Sequence, residues 1–389
     1  MNLLFLEWPC FGLEDALDAF EKMGFNIFKF SHDDYQKRRS EDFDTKCKAF
    51  IHENSIDFVF SFNYHPVLAQ VCHDLELTYV SFVYDSPHVM LYSYTTIYPT
   101  NHIFVFDYSE YAKFASNGIT TVHYSILPAN AEKIKKMLLR SYDRKRLSGD
   151  VTFVGALYGE QHNFYDLLGG ISDHTRGYLE GIMEAQLQIQ GYSFVEETLP
   201  KDVVEDVLTT MKYGVARDGI ETREYIVANY VLGRQMTRLE RTRLLTAVAE
   251  KFPLKFFTID PNAVIPGGKN MGVAEYVTEM PIVFHNSKIN LNISLRSIKA
   301  GIPLRCMDIM ASGGFLLTNY QEDLLRHFTP DEDFVYYEDQ NDLLAKIDYY
   351  LSHDKERNEI AENGHRKVKE NYSFDIILRN ILNESGIEV

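Results

Sequence analysis

Short apolar runs alternate with amphipathic stretches along most of the chain, and this alternation constrains the fold more than any other feature. Runs that are apolar on both faces and alternate with helical patterns indicate a parallel sheet covered by helices on both sides. We therefore predict a doubly wound, Rossmann-like α/β domain over residues 1–127. The strand-like runs of this first series are Asn2–Leu6, Asn26–Phe30, Asp57–Phe62, Thr78–Val83 and His102–Phe106.

A second series of strand-like runs begins after a basic stretch, which we interpret as the connection between domains (residues 128–149). It predicts a second Rossmann-like domain over residues 150–371. Residues of about 164–230 carry helical periodicity without a strand pattern, which predicts a helical insertion in this domain. A last helix (residues 372–389) is expected to cross back to the first domain. The runs of the second series are Asp150–Gly155, Leu254–Ile259, Ile289–Ile293 and Phe315–Thr318.

Composition and charge exclude several classes of function. A formal net charge of -17 opposes binding to a phosphate backbone, so no nucleic-acid partner is expected. The four cysteines form no Cys-x-x-Cys pair, which is typical of a reducing compartment. The N-terminal apolar run lacks preceding basic residues, and no run approaches the roughly 18 apolar residues of a membrane helix. We expect a cytoplasmic protein that does not span a membrane, and self-association into a homo-oligomer is left open.

The stretch Pro281–Met307 contains no Asp or Glu but holds Lys288, Arg296, Lys299 and Arg305. In a chain of strongly negative net charge, such a window is where we expect an anion to bind.

This window also predicts a strand, a loop and the start of a helix in succession. The strand Ile289–Ile293 leads into the loop Ser294–Gly301, and Pro303 suits the first turn of the helix that follows. Free backbone amides and the positive end of the helix dipole would then point at the loop, as in a pyrophosphate site. Ligands of open α/β sheets bind at this end of the strands. Gly301 would permit close approach of the backbone to the phosphates.

Two residues of this helix suggest how a nucleotide is held. Arg305 and Asp308 are three residues apart and share a face, with Arg305 placed for the diphosphate and Asp308 for the ribose hydroxyls. Arg296 and Lys299 in the preceding loop are expected to balance the diphosphate charge. The alternative is that Arg305 and Asp308 form only a surface ion pair. Asp260, beyond the strand Leu254–Ile259, is a candidate for contact with the base from topology alone.

The C-terminal third contains INLNIS, GIPLRCMDIMASGGFLLTNY and the run from DFVYYEDQ to KENYSF. The first half contains TYVSFVYDSPHVMLYS and NHIFVFD, and DVTFVGALYGEQ follows them. Through these segments the chain resembles the CgeB-like (spore maturation protein-like) glycosyltransferases, a GT-B group with a group 1-like C-terminal donor domain. This resemblance implies two Rossmann-like doubly wound domains facing across a cleft. Many GT-B enzymes have Glu where this chain has Asp308, which leaves donor affinity and donor identity open.

The activity that this resemblance implies is transfer of a sugar from a nucleotide-diphosphate sugar, with UDP-sugar expected, to an acceptor hydroxyl. The acceptor would be a glycan, a lipid-linked saccharide or a protein. We expect no metal and no other cofactor, because arginines and a helix N-terminus can stabilise the leaving diphosphate. Two alternatives stay open: a sugar-nucleotide epimerase of the same fold, and a non-catalytic partner that binds a nucleotide sugar.

The resemblance places the acceptor on the N-terminal domain, where polar and aromatic residues follow the predicted strands. Asp85 and His88 follow the strand Thr78–Val83 and are candidates for the general base, with a turn-capping role as the alternative for Asp85. Further acceptor-side candidates are Glu7, Trp8 and His65. For Trp8 and His65 a packing role is the alternative.

Overall fold

The computed structural model of the protein describes residues 1–138, 142–159, 163–214 and 216–389. The chain forms two compact units. The first comprises Met1–Pro128, Val215–Glu221 and Asn371–Val389, and the second comprises Ala129–Gly214 and Thr222–Glu370. Residues 139–141 of the predicted connection, 160–162 at the end of DVTFVGALYGEQ and 215 of the predicted insertion lie outside the described residues.

The first unit is built on a six-stranded sheet whose strands all run parallel. The strand order is β2-β1-β3-β4-β5-β6, with the two central strands β3 and β4 buried along their whole length. Because all six strands run parallel, their carboxyl ends meet at one edge of the sheet. Its elements are β1 (Asn2–Leu6), α1 (Leu13–Lys22), β2 (Asn26–Phe30), α2 (Glu41–Asn54), β3 (Phe58–Phe62), α3 (Pro66–Asp74), β4 (Tyr79–Val83), β5 (Asn101–Val105), α4 (Tyr108–Ser116) and β6 (Val122–Tyr124).

The second unit contains another six-stranded parallel sheet, in the order β12-β11-β10-β7-β8-β9. Its strands are β7 (Val151–Val154), β8 (Leu254–Phe257), β9 (Lys269–Asn270), β10 (Ile289–Asn292), β11 (Leu316–Asn319) and β12 (Val335–Tyr337). Its helices are α5 (Lys133–Met137), α6 (Asp173–Leu187), α7 (Val195–Thr198), α8 (Lys201–Thr210), α9 (Arg223–Tyr225), α10 (Gly233–Lys251), α11 (Met280–Asn286), α12 (Leu304–Ala311), α13 (Glu322–His327), α14 (Gln340–Ser352) and α15 (Asp354–Asn371).

The core of the second unit lies between its sheet and the helices α10, α14 and α15. Leu245 and Val248 of α10 and Leu343 and Ile347 of α14 are buried together with residues of five of its strands. One continuous apolar layer therefore supports the carboxyl edge of this sheet.

The last helix, α16 (Phe374–Glu384), belongs to the first unit. It lies against α1, where Asp375 approaches Lys22 at 3.8 Å, and Glu384 is 2.8 Å from His123 of β6. None of the helices in the described ranges combines the length and the apolar character that crossing a membrane requires.

The predicted parallel α/β architecture is confirmed, and most strand bounds differ by a residue or two from those predicted. Three short strands have no counterpart among the predicted runs, namely β6, the two-residue β9 and β12. Between residues 164 and 230 the described residues form helices and turns, with no strand of the second sheet.

One segment departs from the predicted domain limits, which assigned the whole insertion to the C-terminal domain. Residues 216–221 instead pack in the first unit. Tyr94 N donates to Asp218 O at 3.3 Å, and Ile220 N donates to Tyr92 O at 2.7 Å. The buried carboxylate of Glu221 pairs with Arg38 at 3.1 Å. These long-range contacts have no local sequence pattern, which explains why the segment was not recognised.

Two helical glycines of the second unit test how closely α15 packs against its neighbours. A Cβ at Gly364 of α15 would collide with the carbonyl oxygen of Asp333, whereas a Cβ at Gly177 of α6 would meet nothing within 4 Å. We expect Gly364→Ala to lower the free energy of unfolding by about 1–3 kcal/mol. Gly177→Ala should raise it by about 0.5–1 kcal/mol. Urea unfolding of the two variants measures both changes, and a stabilised Gly364→Ala would contradict the packing of α15.

Candidate functional site

The strand-loop-helix junction predicted near position 300 is present in the second unit. β10 ends at Asn292, and α12 starts at Leu304 with Pro303 in an extended conformation (φ −59°, ψ 142°) as its N-cap. Gly301 is buried in the loop, and Gly313 ends the helix region with a φ of 72°. The first turn of α12 therefore presents its free amides at the carboxyl edge of the sheet.

Buried side-chain hydrogen bonds fix the start of this loop. Asn292 Nδ2 donates to Thr318 Oγ1 at 2.9 Å and to Ser294 Oγ at 3.0 Å. Ser294 N in turn donates to Asn319 Oδ1 at 2.8 Å. Because β10 and β11 are adjacent, these bonds hold both strand ends in one geometry.

Arg305 and Asp308 lie side by side on α12, as predicted from their spacing. Nη1 of Arg305 is 3.4 Å from Asp308 Oδ2, and Tyr276 OH donates to Asp308 Oδ1 at 3.2 Å. The Arg305 guanidinium lies over the ring of Phe284, 5.6 Å from its centroid, and also contacts Met280 Sδ. Both side chains are largely but not fully buried, with 24% and 16% of their surfaces exposed.

Arg241 of α10 is a member of this site that the sequence reasoning missed. It is buried, and its guanidinium donates to Ile293 O at 3.0 and 2.5 Å and to Ala156 O at 2.5 Å. These carbonyls follow the ends of β10 and β7 respectively. Among the described residues no carboxylate forms an ion pair with Arg241. Only the long-range contact from α10 brings it here, and no motif of the window near position 300 indicates it.

The electrostatic surroundings of Arg241 are unfavourable for its charge. Burial is the largest effect and lowers the pKa of its guanidinium; Tyr158 and Glu240 partly oppose it, and the positive charge of Arg305 adds a smaller lowering effect. The guanidinium lies over the rings of Phe153 and Tyr158, 5.3 and 5.1 Å from their centroids. Two guanidinium groups thus influence each other at the carboxyl edge of this sheet.

Three other cations of the basic window are paired with acids from other parts of the chain. Arg296 forms a bidentate pair with Glu240 of α10, at 2.7 and 2.5 Å, and Nη1 of Arg296 donates to Ile189 O at 3.1 Å. Lys299 is 3.3 Å from Glu196 of α7, and Lys288 is 2.9 Å from Asp150. The window contains no acid in its own sequence, but in the folded chain carboxylates from other segments compensate the charge of these three cations.

The remaining donor-side candidate, Asp260, lies in the turn beyond β8. Its Oδ1 accepts a hydrogen bond from Asn262 N at 2.8 Å, and the side chain is half-buried. This is the capping role that Asp commonly has in turns. The structure gives Asp260 no bond to Arg305 or Asp308 within the described ranges.

At the carboxyl edge of the first sheet, Asp85 is exposed and its Oδ2 accepts from Asn63 Nδ2 at 2.7 Å. Asn63 Oδ1 also accepts from Tyr84 N at 3.1 Å, so Asn63 connects the ends of β3 and β4. Nε2 of His88 lies 2.9 Å from Tyr64 O and 3.2 Å from Tyr64 N. Burial lowers the pKa of His88, which keeps the ring neutral at pH 7.

His65 is buried among aromatic rings and backbone carbonyls. Its Nδ1 is 3.0 Å from Tyr35 O and its Nε2 is 3.1 Å from Phe62 O. Burial lowers its pKa to about 4, so at neutral pH the ring carries one proton and only one of the two contacts is a hydrogen bond. The geometry supports the packing role for His65.

Glu7 and Trp8 follow β1 at the same edge. Glu7 pairs with Lys29 at 3.0 Å. Trp8 Nε1 donates to Phe62 O at 3.2 Å, and its ring stacks with Tyr35 and Tyr84. The structure therefore brings Glu7, Trp8, His65 and the Tyr84–Asp85 turn to one sheet edge.

In the described part of the chain, no three of the His, Cys, Asp and Glu side chains come together as a metal cluster. The acidic residues Asp331, Glu332 and Asp333 precede β12, and Asp333 accepts from Thr329 N at 2.8 Å and pairs with Lys367 at 2.7 Å. These bonds give Asp333 a structural role within its turn.

Residues 241–383 match a family model described as glycosyl transferase-like. Arg241, Arg305 and Asp308 all lie within the matched region, and the match confirms the predicted glycosyltransferase class for this part of the chain. No curated protein matches the sequence.

Solved structures resemble the chain over almost its whole length. A glycosyltransferase from Rickettsia africae ESF-5 is 10% identical with a TM-score of 0.53, over 99% of this chain and 97% of that one. The Anabaena protein Alr3699/HepE, in complex with UDP and glucose, is 11% identical with a TM-score of 0.53, over 99% of both chains. Sucrose-phosphate synthase from Thermosynechococcus elongatus is 8% identical with a TM-score of 0.55, over 99% and 97%. At these identities the likeness shows the fold, and the predicted GT-B fold is confirmed.

The Arg296–Glu240 pair makes a stability prediction. Its side chains are only 12% and 8% exposed, whereas those of the pair Arg243–Glu184, which shares α10, are 46% and 50% exposed. Removing one partner of the buried pair, in Arg296→Met or Glu240→Gln, should cost about 3–5 kcal/mol because it leaves a buried charge unpaired. The same changes in Arg243–Glu184 should cost less than about 1 kcal/mol.

Double-mutant cycles monitored by urea unfolding measure both couplings. Equal coupling in the two pairs would show that Arg296 is not held by Glu240, and would return it to the set of cations available to a ligand.

Proposed function

We propose that the protein transfers a sugar from a UDP-sugar to an acceptor hydroxyl, and that the donor binds at the carboxyl edge of the second sheet. The observation that carries this proposal is that the buried Arg241 donates to Ile293 O beyond the end of β10, while Arg305 lies in the first turn of α12 at the same carboxyl edge. The match of residues 241–383 to glycosyl transferase-like proteins supports the same conclusion from sequence.

The arginine pair has the electrostatics of an anion site. A buried charge without a carboxylate partner is unfavourable, and a second positive charge nearby makes it more so. A diphosphate would remove this repulsion and would accept hydrogen bonds from the guanidinium groups and from the free amides of α12. We assign the diphosphate of the donor to Arg241 and Arg305.

Asp308 is suited to the ribose. It lies one turn along α12 from Arg305. Its Oδ1 accepts a hydrogen bond from Tyr276 OH, and its Oδ2 lies 3.4 Å from Arg305 Nη1. A carboxylate held in this way can accept hydrogen bonds from two neighbouring hydroxyl groups. The shorter arm of Asp, compared with Glu, is compatible with this role because Tyr276 orients the carboxylate.

Arg296 and Lys299 are assigned a different role from that predicted at the diphosphate. Their pairing with Glu240 and Glu196 fixes the loop between β10 and α12 in place. They would orient the backbone around the donor and leave the charge of the phosphates to Arg241 and Arg305.

The choice of UDP rests on a neighbour of the same fold. The Anabaena protein Alr3699/HepE is in complex with UDP and glucose in its structure. The arginines and the α12 N-terminus would stabilise the charge that develops on UDP as it leaves, so we propose a reaction without a metal. Asp85 and His88 are proposed as candidates for the base that accepts the proton of the acceptor hydroxyl.

The sequence segments that resemble a known family also support proposals about the group, the compartment and the acceptor. We propose that the protein belongs to the CgeB-like group, acts in the cytoplasm and uses a glycan, lipid-linked or protein acceptor. Product analysis with donor alone separates transfer from epimerisation, because an epimerase needs no acceptor.

Removing the carboxylate of Asp308 should weaken UDP binding. Asp308→Ala loses hydrogen bonds to a charged acceptor, each worth about 1.5–3 kcal/mol, so we expect an affinity at least about tenfold lower. Asp348→Ala, which removes an exposed acid of α14 in the same unit, is the matched control and should bind UDP like the wild type. Calorimetric titration of UDP gives both values. Unchanged affinity in Asp308→Ala would remove this residue from the nucleotide site.

A further inference from the structure

A row of aromatic rings lies at the carboxyl edge of the first sheet. The ring centroid of Trp8 is 5.7 Å from that of Tyr35, at an interplanar angle of 24°, and 6.2 Å from that of Tyr84, at 17°. Phe11 extends the row, with its centroid 6.5 Å from that of Tyr84. We call Trp8, Phe11, Tyr35 and Tyr84 the aromatic row.

The two ends of this row differ in how they are held. Trp8 is anchored, because its Nε1 donates to Phe62 O and His65 packs edge-on against its ring. Phe11 is 53% exposed, although it follows a buried strand and precedes α1. Because the Trp8 ring is already fixed, the exposed ring beside it adds apolar surface for a ligand, and little conformational entropy of these side chains is lost on binding.

The charges around the aromatic row are negative. Asp85 is exposed next to Tyr84, and Glu7 immediately precedes Trp8. Burial raises the pKa of the Cys10 thiol to about 12, and the negative charges of Asp85 and Glu7 add to this effect. Asp85 and Cys10 also raise the pKa of Tyr84, after the larger effect of its burial. The only cation bonded to these two acids among the described residues is Lys29, on Glu7.

We propose that the aromatic row binds the acceptor, and that this acceptor is a saccharide without a phosphate or other anionic group at the bound sugar. The proposal rests on the proposed function, since a sugar transferase requires an acceptor. It adds the chemical class of that acceptor, which nothing in the donor site determines.

Stacking and charge together select this class. The C–H face of a pyranose packs against aromatic rings, while its hydroxyl groups need acceptors at the rim. Asp85 supplies such an acceptor, and its remaining oxygen, Oδ1, is the one not engaged by Asn63. A phosphorylated sugar would meet the like charge of Asp85, whereas Glu7 is paired with Lys29, and like charges across an interface oppose binding.

The chain has a built-in reporter for this site. Trp8 is the single tryptophan of the protein, so intrinsic tryptophan fluorescence reports on the aromatic row alone. We would titrate the full chain with methyl α-D-glucopyranoside, lactose and maltotriose as neutral probes, and with glucose 6-phosphate as the charged probe. At least one neutral saccharide should change the emission of Trp8 in a saturable way. Glucose 6-phosphate should bind at least about tenfold more weakly than the tightest neutral saccharide.

Variants link the signal to the exposed ring. Phe11→Ala removes a half-exposed side chain without opening the core and should weaken saccharide binding about three- to tenfold. Tyr94→Ala is the matched control, because Tyr94 is an exposed ring of the same unit outside the aromatic row, and it should bind like the wild type. Asp85→Asn should reduce the preference for neutral saccharides over glucose 6-phosphate.

The contrary results are equally distinct. Absence of a saturable signal with every neutral probe, equal binding of glucose 6-phosphate, or an unchanged affinity in Phe11→Ala would each overturn the proposal. UDP binding, measured by calorimetry on the same sample, tests the donor site separately. If the protein binds UDP but no saccharide, the proposed function stands and this acceptor does not. If it binds a saccharide but not UDP, the saccharide site stands and the proposed function does not.

Discussion

The proposed donor site depends on the environment of one buried guanidinium. Arg241 is held by the backbone carbonyls of Ala156 and Ile293, beyond the ends of two adjacent strands of the second sheet. Carbonyl oxygens satisfy its hydrogen bonds but do not cancel its charge, and Arg305 adds a second positive charge. Desolvated charges without a partner are unfavourable, and a bound anion would compensate both guanidinium groups. The parallel topology places the free amides of α12 at the same edge, so backbone and side chains favour the same kind of ligand.

The sequence predicted the architecture well because the signal is local. Runs such as Asn2–Leu6 and Asn26–Phe30 are apolar, short and separated by helical periodicity, and the structure gives strands with those bounds. The strand-loop-helix junction near position 300 was also predictable, since Pro303 and Gly313 mark both ends of α12. By contrast, β9 has only two residues and β6 three, too few for a periodic pattern to form.

The charges of the site could be predicted only in part. The acid-free stretch Pro281–Met307 contains Arg296, Lys299 and Arg305, which follow the carboxyl end of β10, but local sequence cannot show which carboxylates pair with them. Glu240 and Glu196 are distant in sequence and pair with Arg296 and Lys299 through tertiary contacts. The same limitation hid Arg241, which lies in a long amphipathic helix and has no motif around it. In the first unit, Trp8 and Tyr84 follow different strands and meet only because parallel strands end at one edge.

The central claim is that the two arginines and the α12 N-terminus bind the diphosphate of the donor. Calorimetric titration of uridine, UMP, UDP and inorganic pyrophosphate into the wild-type protein tests it most directly. If the account is right, affinity rises steeply from uridine to UDP, and pyrophosphate competes with UDP for the same site. If uridine binds as tightly as UDP and pyrophosphate does not compete, the arginines do not hold a diphosphate and the donor site lies elsewhere.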